Sequence, residues 1–384
     1  MIPIYTIKLG KKEKQYVNLC LDTGWISSSG SFVGKFEEAF AKFIGVKYAL
    51  AVVNGTSALH LLALASGIKK DDEVIIPDYT FISTALSISY TGAKVVPIDA
   101  DKDTWNIDPK QIEKAITNKT KAIIPVDIYG LPANYEEIEK IAKKHNLLIL
   151  EDSAEAFGSK YKRKMAGSFG DGAIFSLYGN KTITTGEGGM LVTNSKKIYE
   201  NAKLLSNYGR EKKGQYINKT LGFNYHMTNI QGAIGLAQIE KADKVIKRKI
   251  EIKNLYQKFL KDIPGISFQK EDKNSINVCW LISIVIDEKD FGKSKDKLSE
   301  ELNKKGIDTR NFFYPIHLQP MYRLSEEKTS YCSNEVRTQN ESTNTFPISN
   351  YLYKSGLSLP SYPSLKNEEI KLICKITKNL YLKD

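Results

Sequence analysis

The sequence predicts an α/β protein built on a mainly parallel sheet of seven strands, and three observations point to it. Short apolar runs recur at Ala49–Val53, Glu73–Ile76, Lys94–Ile98, Ala122–Val126, Leu147–Leu150, Ala173–Leu177 and Met190–Val192. They are near-continuous in Val, Ile, Leu and Ala, as strands covered on both faces are. Helical patterns lie between most of these runs, and alternation of strand with helix implies parallel pairing. Beyond Gly189 the alternation stops and shorter, mixed elements follow.

Taken in order, the run Ala49–Val53 leads into a helix over Ser57–Ala65 and Glu73–Ile76 into one over Phe81–Tyr90. Lys94–Ile98 is followed by Pro109–Ile116, and Ala122–Val126 by Tyr135–His145. A Lys-rich helical stretch from Asn229 to about Leu260 reads as a single bridge from a large domain to a smaller one. After it come strand-like residues (Val278–Ile286), a helix (Lys295–Lys305) and a terminal helix (Asn367–Tyr381), which suggest an α+β domain. The expected division is residues 1–245 and 246–384. The polar segment Ser325–Asn344 has few large apolar side chains and reads as an exposed loop.

Composition narrows the function classes. A chain of 384 residues suits two domains better than one small core. No apolar run approaches the ~18 residues of a membrane span, and the first residues lack the apolar stretch of a signal peptide. Cys20, Cys279, Cys332 and Cys374 are scattered without CxxC spacing, so neither a metal site nor a disulfide framework is expected. A cytoplasmic location is the default. The net charge of +12 comes mostly from lysines dispersed singly or in pairs. That pattern argues against nucleic acid as a partner and for a general attraction to anionic ligands.

Two residues carry the chemistry. Asp152 ends the apolar run at Leu147–Leu150, and Lys181 follows the next, within GNKTITTGEGG. An acid at one strand end and an amine in the loop after another are what pyridoxal 5′-phosphate (PLP) needs. The amine forms a Schiff base with its aldehyde, and the carboxylate keeps the pyridine nitrogen protonated. Upstream, Asn54-Gly55-Thr56-Ser57 follows a strand and opens a helix. Unpaired N–H groups and the helix dipole make such a terminus an anion site, to which Thr56 and Ser57 add hydroxyls.

The segments EDSAEAFG, FSLYGNKTITTGEGGM and GFNYHMTNIQGAIGLAQIEK resemble the DegT/DnrJ/EryC1/StrS sugar-nucleotide aminotransferases, from about Ile4 to about Ile376. Within the family the likeness is greatest to the perosamine synthases. The resemblance implies the PLP-dependent transferase fold of the aspartate aminotransferase type (fold type I). It also implies PLP, with pyridoxamine phosphate formed during turnover, L-glutamate as donor, and a nucleotide-diphosphate sugar as acceptor. The sugar would be 4-keto-6-deoxymannose linked to GDP, with a UDP-linked 4-keto-6-deoxyglucose, or its N-acetylated relative, as the alternative. Further residues take roles by the same resemblance: Ser176 at the phosphate, Phe81 on the ring face and Glu155 beside the 3′-oxygen. Asn224 would reach the phosphate of a neighbouring subunit, which implies a homodimer with its active sites at the interface. Arg310, Tyr314 and His317, in DTRNFFYPIHLQPMY, would contact the substrate, as would Trp25 and Ser27 of the GWISSSG loop. His226 and Asn311 replace an arginine and a proline usual in the family. Two other classes share the fold: sugar 3-dehydratases, which have histidine in place of Lys181, and non-catalytic relatives.

Overall fold

A computed structural model describes residues 1–211, 216–322 and 346–381. Seven strands form the large sheet: β1 (Tyr48–Val52), β2 (Glu73–Pro77), β3 (Lys94–Ile98), β4 (Thr120–Ile123), β5 (Leu148–Asp152), and, beyond the short strands β6 (Lys160–Tyr161) and β7 (Lys164–Met165), β8 (Gly172–Ser176) and β9 (Gly189–Thr193). Their order is β1-β9-β8-β5-β4-β2-β3. Five of them, from β8 to β3, run parallel, whereas β9 lies antiparallel to both β1 and β8.

The apolar runs are continuous because both faces are covered. Leu50 and Val52 of β1 turn to one side with Val74, Leu150 and Leu191, under the helices α3 (Gly55–Ala65) and α7 (Lys196–Ser206). Ala49 and Ala51 turn to the other, with Phe175 and Val192, against α2 (Ser31–Ile44), which follows α1 (Lys11–Asp22). Along that second face, Ile75, Val96, Ile123 and Ile149 meet α5 (Pro109–Ala115) and α6 (Tyr135–His145). A period of two within uniformly apolar strands thus fills two cores at once. The short helix α4 (Ser83–Ser89) starts two residues later than the pattern suggested.

The expected single helix from Asn229 to Leu260 is corrected to two, α8 (Asn229–Ile239) and α9 (Ala242–Leu260). Side chains at the break are claimed elsewhere. Glu240 accepts from Lys12 (2.8 Å) and from the Tyr16 hydroxyl (3.1 Å), and Lys241 pairs with the buried Glu13 of α1. These ties hold α8 across α1 and α2. Contact with α2 is close enough that a Cβ at Gly232 would stand 2.8 Å from the Val33 nitrogen.

A second, antiparallel sheet has the order β10-β12-β14-β13, formed by β10 (Ile266–Phe268), β12 (Ile282–Ile286), β13 (Arg310–Asn311) and β14 (Gly356–Leu359). The short β11 (Ser275–Ile276) pairs instead with β6. The core of this sheet takes Ile252, Tyr256 and Leu260 from α9, Leu298 and Leu302 from α10 (Lys295–Lys304), and Ile370 and Ile373 from α11 (Asn367–Tyr381). The chain's first residues reach this region, where Ile2 bridges to Ile307. The segment Ser325–Asn344 lies outside the described residues.

Candidate active site

Strands β1, β5 and β8 end at a cavity of about 540 Å³. Asn54 to Thr56 line it after β1, Asp152 to Glu155 at the end of β5, and Ser176 to Lys181 after β8. Ile4 and Tyr5 of the N-terminal segment, with Trp280, Arg310 and Phe313 of the C-terminal half, complete the wall. A site at the carboxyl ends of parallel strands is where such sheets bind ligands.

Lys181 stands inside. Its Nζ is 3.6 Å from Glu155 Oε1 and 3.7 Å from the centre of the Trp280 ring. Burial lowers its pKa, and the carboxylates of Glu155 and Asp152 pull in the opposite direction. Loss of water around the ammonium outweighs the two attractions, so the amine gives up its proton more readily than an exposed lysine. Glu155 is held by the Tyr129 N–H, which donates to Oε2 at 2.7 Å. Tyr129 adopts a left-handed backbone (φ 53°). Burial pushes the Glu155 carboxyl up to about 7, although Lys181 works against it.

Asp152 is the last residue of β5 and is buried. Thr84 Oγ1 of α4 donates to Oδ2 at 2.8 Å, and the Ala154 N–H donates to Oδ1 at 3.2 Å. Burial raises its pKa, whereas these two donors and Lys181 lower it.

On the β1 side, Asn54 caps α3, its Oδ1 accepting from the Ser57 N–H at 2.8 Å. The N–H groups of Gly55 and Thr56, in the first turn, have no carbonyl within the helix to bond. Gly55 packs on the end of β8, where a Cβ would come within 3.2 Å of Ser176 Cβ. Helix terminus and serine hydroxyl therefore lie side by side. Phe81 lines the same cavity with 51% of its surface open and its ring 5.6 Å from that of Phe313. Arg310 is exposed at the cavity edge.

Several expected residues lie elsewhere among those described. Ser57 is buried and its N–H serves the cap. His317 binds Asp78, its backbone N–H donating at 2.8 Å and its Nδ1 lying 2.7 Å from Oδ2, and its ring stacks on Phe346. Tyr314 sets its ring edge-on against Tyr353. Asn224 is exposed beside Asn207. Trp25 and Ser27 are exposed, and their carbonyls accept from the side chain and backbone of Asn229 (2.7 and 2.8 Å). None of these six lines the cavity of its own chain. Sequence reasoning missed Trp280, Thr84 and Tyr129. Thr84 sits in the PDYTFIST segment, three residues after Phe81, and was within reach. Trp280 and Tyr129 are distant in sequence and carry no local motif.

Residues 8–378 match the family model described as the DegT/DnrJ/EryC1/StrS aminotransferase family. The chain belongs to this family. The chain is 45% identical over 380 residues to the GDP-perosamine synthase of Escherichia coli O157:H7, covering 99% of this chain and 98% of that one. It is 38% identical to the GDP-perosamine synthase of Vibrio cholerae, with 99% of each chain covered. Among solved structures, Helicobacter pylori PseC, an aminotransferase involved in the biosynthesis of pseudaminic acid, is similar with a TM-score of 0.88 and 29% identity over 99% of each chain. Members of the family share the fold-type-I architecture seen here.

Proposed function

We propose that the chain is a PLP-dependent aminotransferase that moves an amino group from L-glutamate to C4 of GDP-4-keto-6-deoxymannose, giving GDP-perosamine. One observation carries the cofactor reading: the amine of Lys181 and the buried carboxylate of Asp152 share one cavity. The two GDP-perosamine synthases, at 45% and 38% identity across nearly the whole chain, support the substrate.

The residues fit PLP. Gly55 and Thr56 would hold its phosphate through their N–H groups and the Thr56 hydroxyl, with Ser176 adjoining, because a helix terminus favours an anion. The absent Cβ at Gly55 keeps that cradle open against Ser176. Asp152, oriented by Thr84 and Ala154, would take the pyridine nitrogen, and Glu155 the 3′-oxygen. Phe81 would cover one face. When bound, PLP supplies the aldehyde carbon that carries the amino group and a conjugated ring that takes up electrons.

The side chains do the rest. Lys181, buried and able to shed its proton, accepts a proton from a carbon and returns it to another. Glu155, at about 7, is ready to exchange a proton with its neighbours near neutrality. Arg310 at the edge offers a planar cation to a phosphate or carboxylate of either substrate. Tyr5, Trp280 and Phe313 supply aromatic surface to the wall of the cavity that holds the amine.

We further propose a division into domains 1–245 and 246–384, a cytoplasmic location, and a homodimeric active unit. In the dimer, the partner subunit's Asn224 reaches the phosphate. This reading accounts for an exposed Asn224 and for the exposed Leu19, Leu21, Trp25, Ile26 and Leu221. No helix among the described residues is long and apolar enough to cross a membrane. The deciding experiment compares kcat/KM for GDP- and UDP-linked 4-keto-6-deoxy sugars with glutamate as donor. A clear GDP preference is expected, and a UDP preference would overturn the substrate while leaving the reaction class standing.

A further inference from the structure

Lys249 is a mid-helix lysine of α9 that is buried. Its ammonium donates to the carbonyls of Trp280 (2.8 Å) and Ser361 (2.7 Å) and to Ser361 Oγ (3.3 Å). A buried ammonium carried by neutral acceptors is costly, and folds keep such a group where it fixes something. Here it fixes Trp280. The Trp280 N–H donates to the Tyr129 carbonyl at 3.0 Å, and its Nε1–H donates to the carbonyl of Asn180, the residue before Lys181, at 2.9 Å. Just before it, Cys279 is held in the left-handed region (φ 62°), a strained conformation for a side chain with a Cβ. Three hydrogen bonds and a strained turn therefore aim one indole, whose centre lies 3.7 Å from Lys181 Nζ. The amine is sandwiched between that ring and Glu155.

We propose that Trp280, tethered by Lys249, is a positioning residue that holds the Lys181 amine on the Glu155 side of the cavity through its ring face. The cation is attracted by the ring's negative face, most strongly where water is excluded. The proposal rests on the assignment of Lys181 as the reacting amine, but its test does not. Groups facing the amine are Glu155 and Asp152, with Glu187, Tyr178 and Arg310 elsewhere on the cavity wall and Lys249 and Cys279 behind the indole.

The test measures the pH dependence of carbamylation of Lys181 by cyanate in cofactor-stripped protein, read by peptide mass spectrometry. Trp280→Leu keeps the wall apolar but removes the ring face. Its midpoint should fall by about one pH unit, a roughly tenfold change in labelling at fixed pH. Trp280→Phe, which retains a weaker face, should return part of the shift and serves if the leucine variant folds poorly. In the loaded enzyme, Lys249→Met should lower kcat in the parent but not in the Trp280→Leu background, because the carbonyl that Lys249 holds then belongs to a residue with no indole to aim. An unchanged or raised midpoint in Trp280→Leu overturns the proposal, as does an additive effect of Lys249→Met. Retained turnover in Lys181→Ala would instead overturn the reading of the site, and the labelling result would stand apart from it.

Discussion

At Lys181, three influences meet in one amine: burial, two carboxylates and an aromatic face. Because Glu155 raises the pKa of Lys181, Glu155→Gln should lower the pH at which the amine becomes reactive, as cyanate labelling would register. A midpoint that stays put or rises would mean that the 3.6 Å pair is not felt. Asp152 tests a different property. Asparagine at 152 can still accept from the Ala154 N–H and turn its amide N–H to the Thr84 hydroxyl oxygen, but it loses the charge. Each pKa unit lost at the pyridine nitrogen is worth about 1.4 kcal/mol. Asp152→Asn is expected to lower kcat about a hundredfold, or ~2.7 kcal/mol, while PLP still binds. A near-normal kcat would make Asp152 a structural cap at the end of β5. His317 shows how a residue-level expectation fares when the partner is invisible: its ring is engaged by Asp78, 239 positions away.

Among elements, the start of α3 is the most informative. Asn54 caps the helix, and Gly55 allows its first turn to lie against Ser176. Gly55→Ala would add a Cβ 3.2 Å from Ser176 Cβ, crowding the proposed phosphate cradle. PLP affinity should fall roughly tenfold, ~1.4 kcal/mol, with the melting temperature of the cofactor-free protein nearly unchanged. Asn54→Ala should instead cost stability, about 1 kcal/mol, through loss of the cap. If both variants lost stability equally and bound PLP normally, the terminus would be structural only. The strands of this half were legible in the sequence because burial on both faces leaves long Val-, Ile- and Leu-rich runs, and Asp152, Ser176 and Lys181 sit at their ends. The break at Glu240-Lys241 was not, since it is set by Glu13, Lys12 and Tyr16 of α1, more than two hundred residues away. Trp280 was hidden for the same reason: only folding carries it to Lys181.

At the scale of the whole molecule, one chain lines the cavity and leaves Asn224, Trp25 and Ser27 on its surface. If the partner subunit's Asn224 completes each site, Lys181→Ala protomers mixed with Asn224→Ala protomers should regain activity, because a heterodimer contains one intact site. The expected yield is up to about one quarter of the parent rate with random pairing of equal amounts, since half the dimers are mixed and each has one of two sites intact. A fully active monomer in light scattering would contradict shared sites. The central claim is that this cavity transfers nitrogen through Lys181. It is tested most directly by incubating the PLP-loaded protein, and its Lys181→Ala variant, with nitrogen-labelled glutamate and GDP-4-keto-6-deoxymannose and following both products by mass spectrometry. The parent should release one 2-oxoglutarate for each labelled amino sugar formed over many turnovers, and the variant should give no sustained turnover. Absence of labelled sugar from the parent, or undiminished turnover in the variant, would contradict the account.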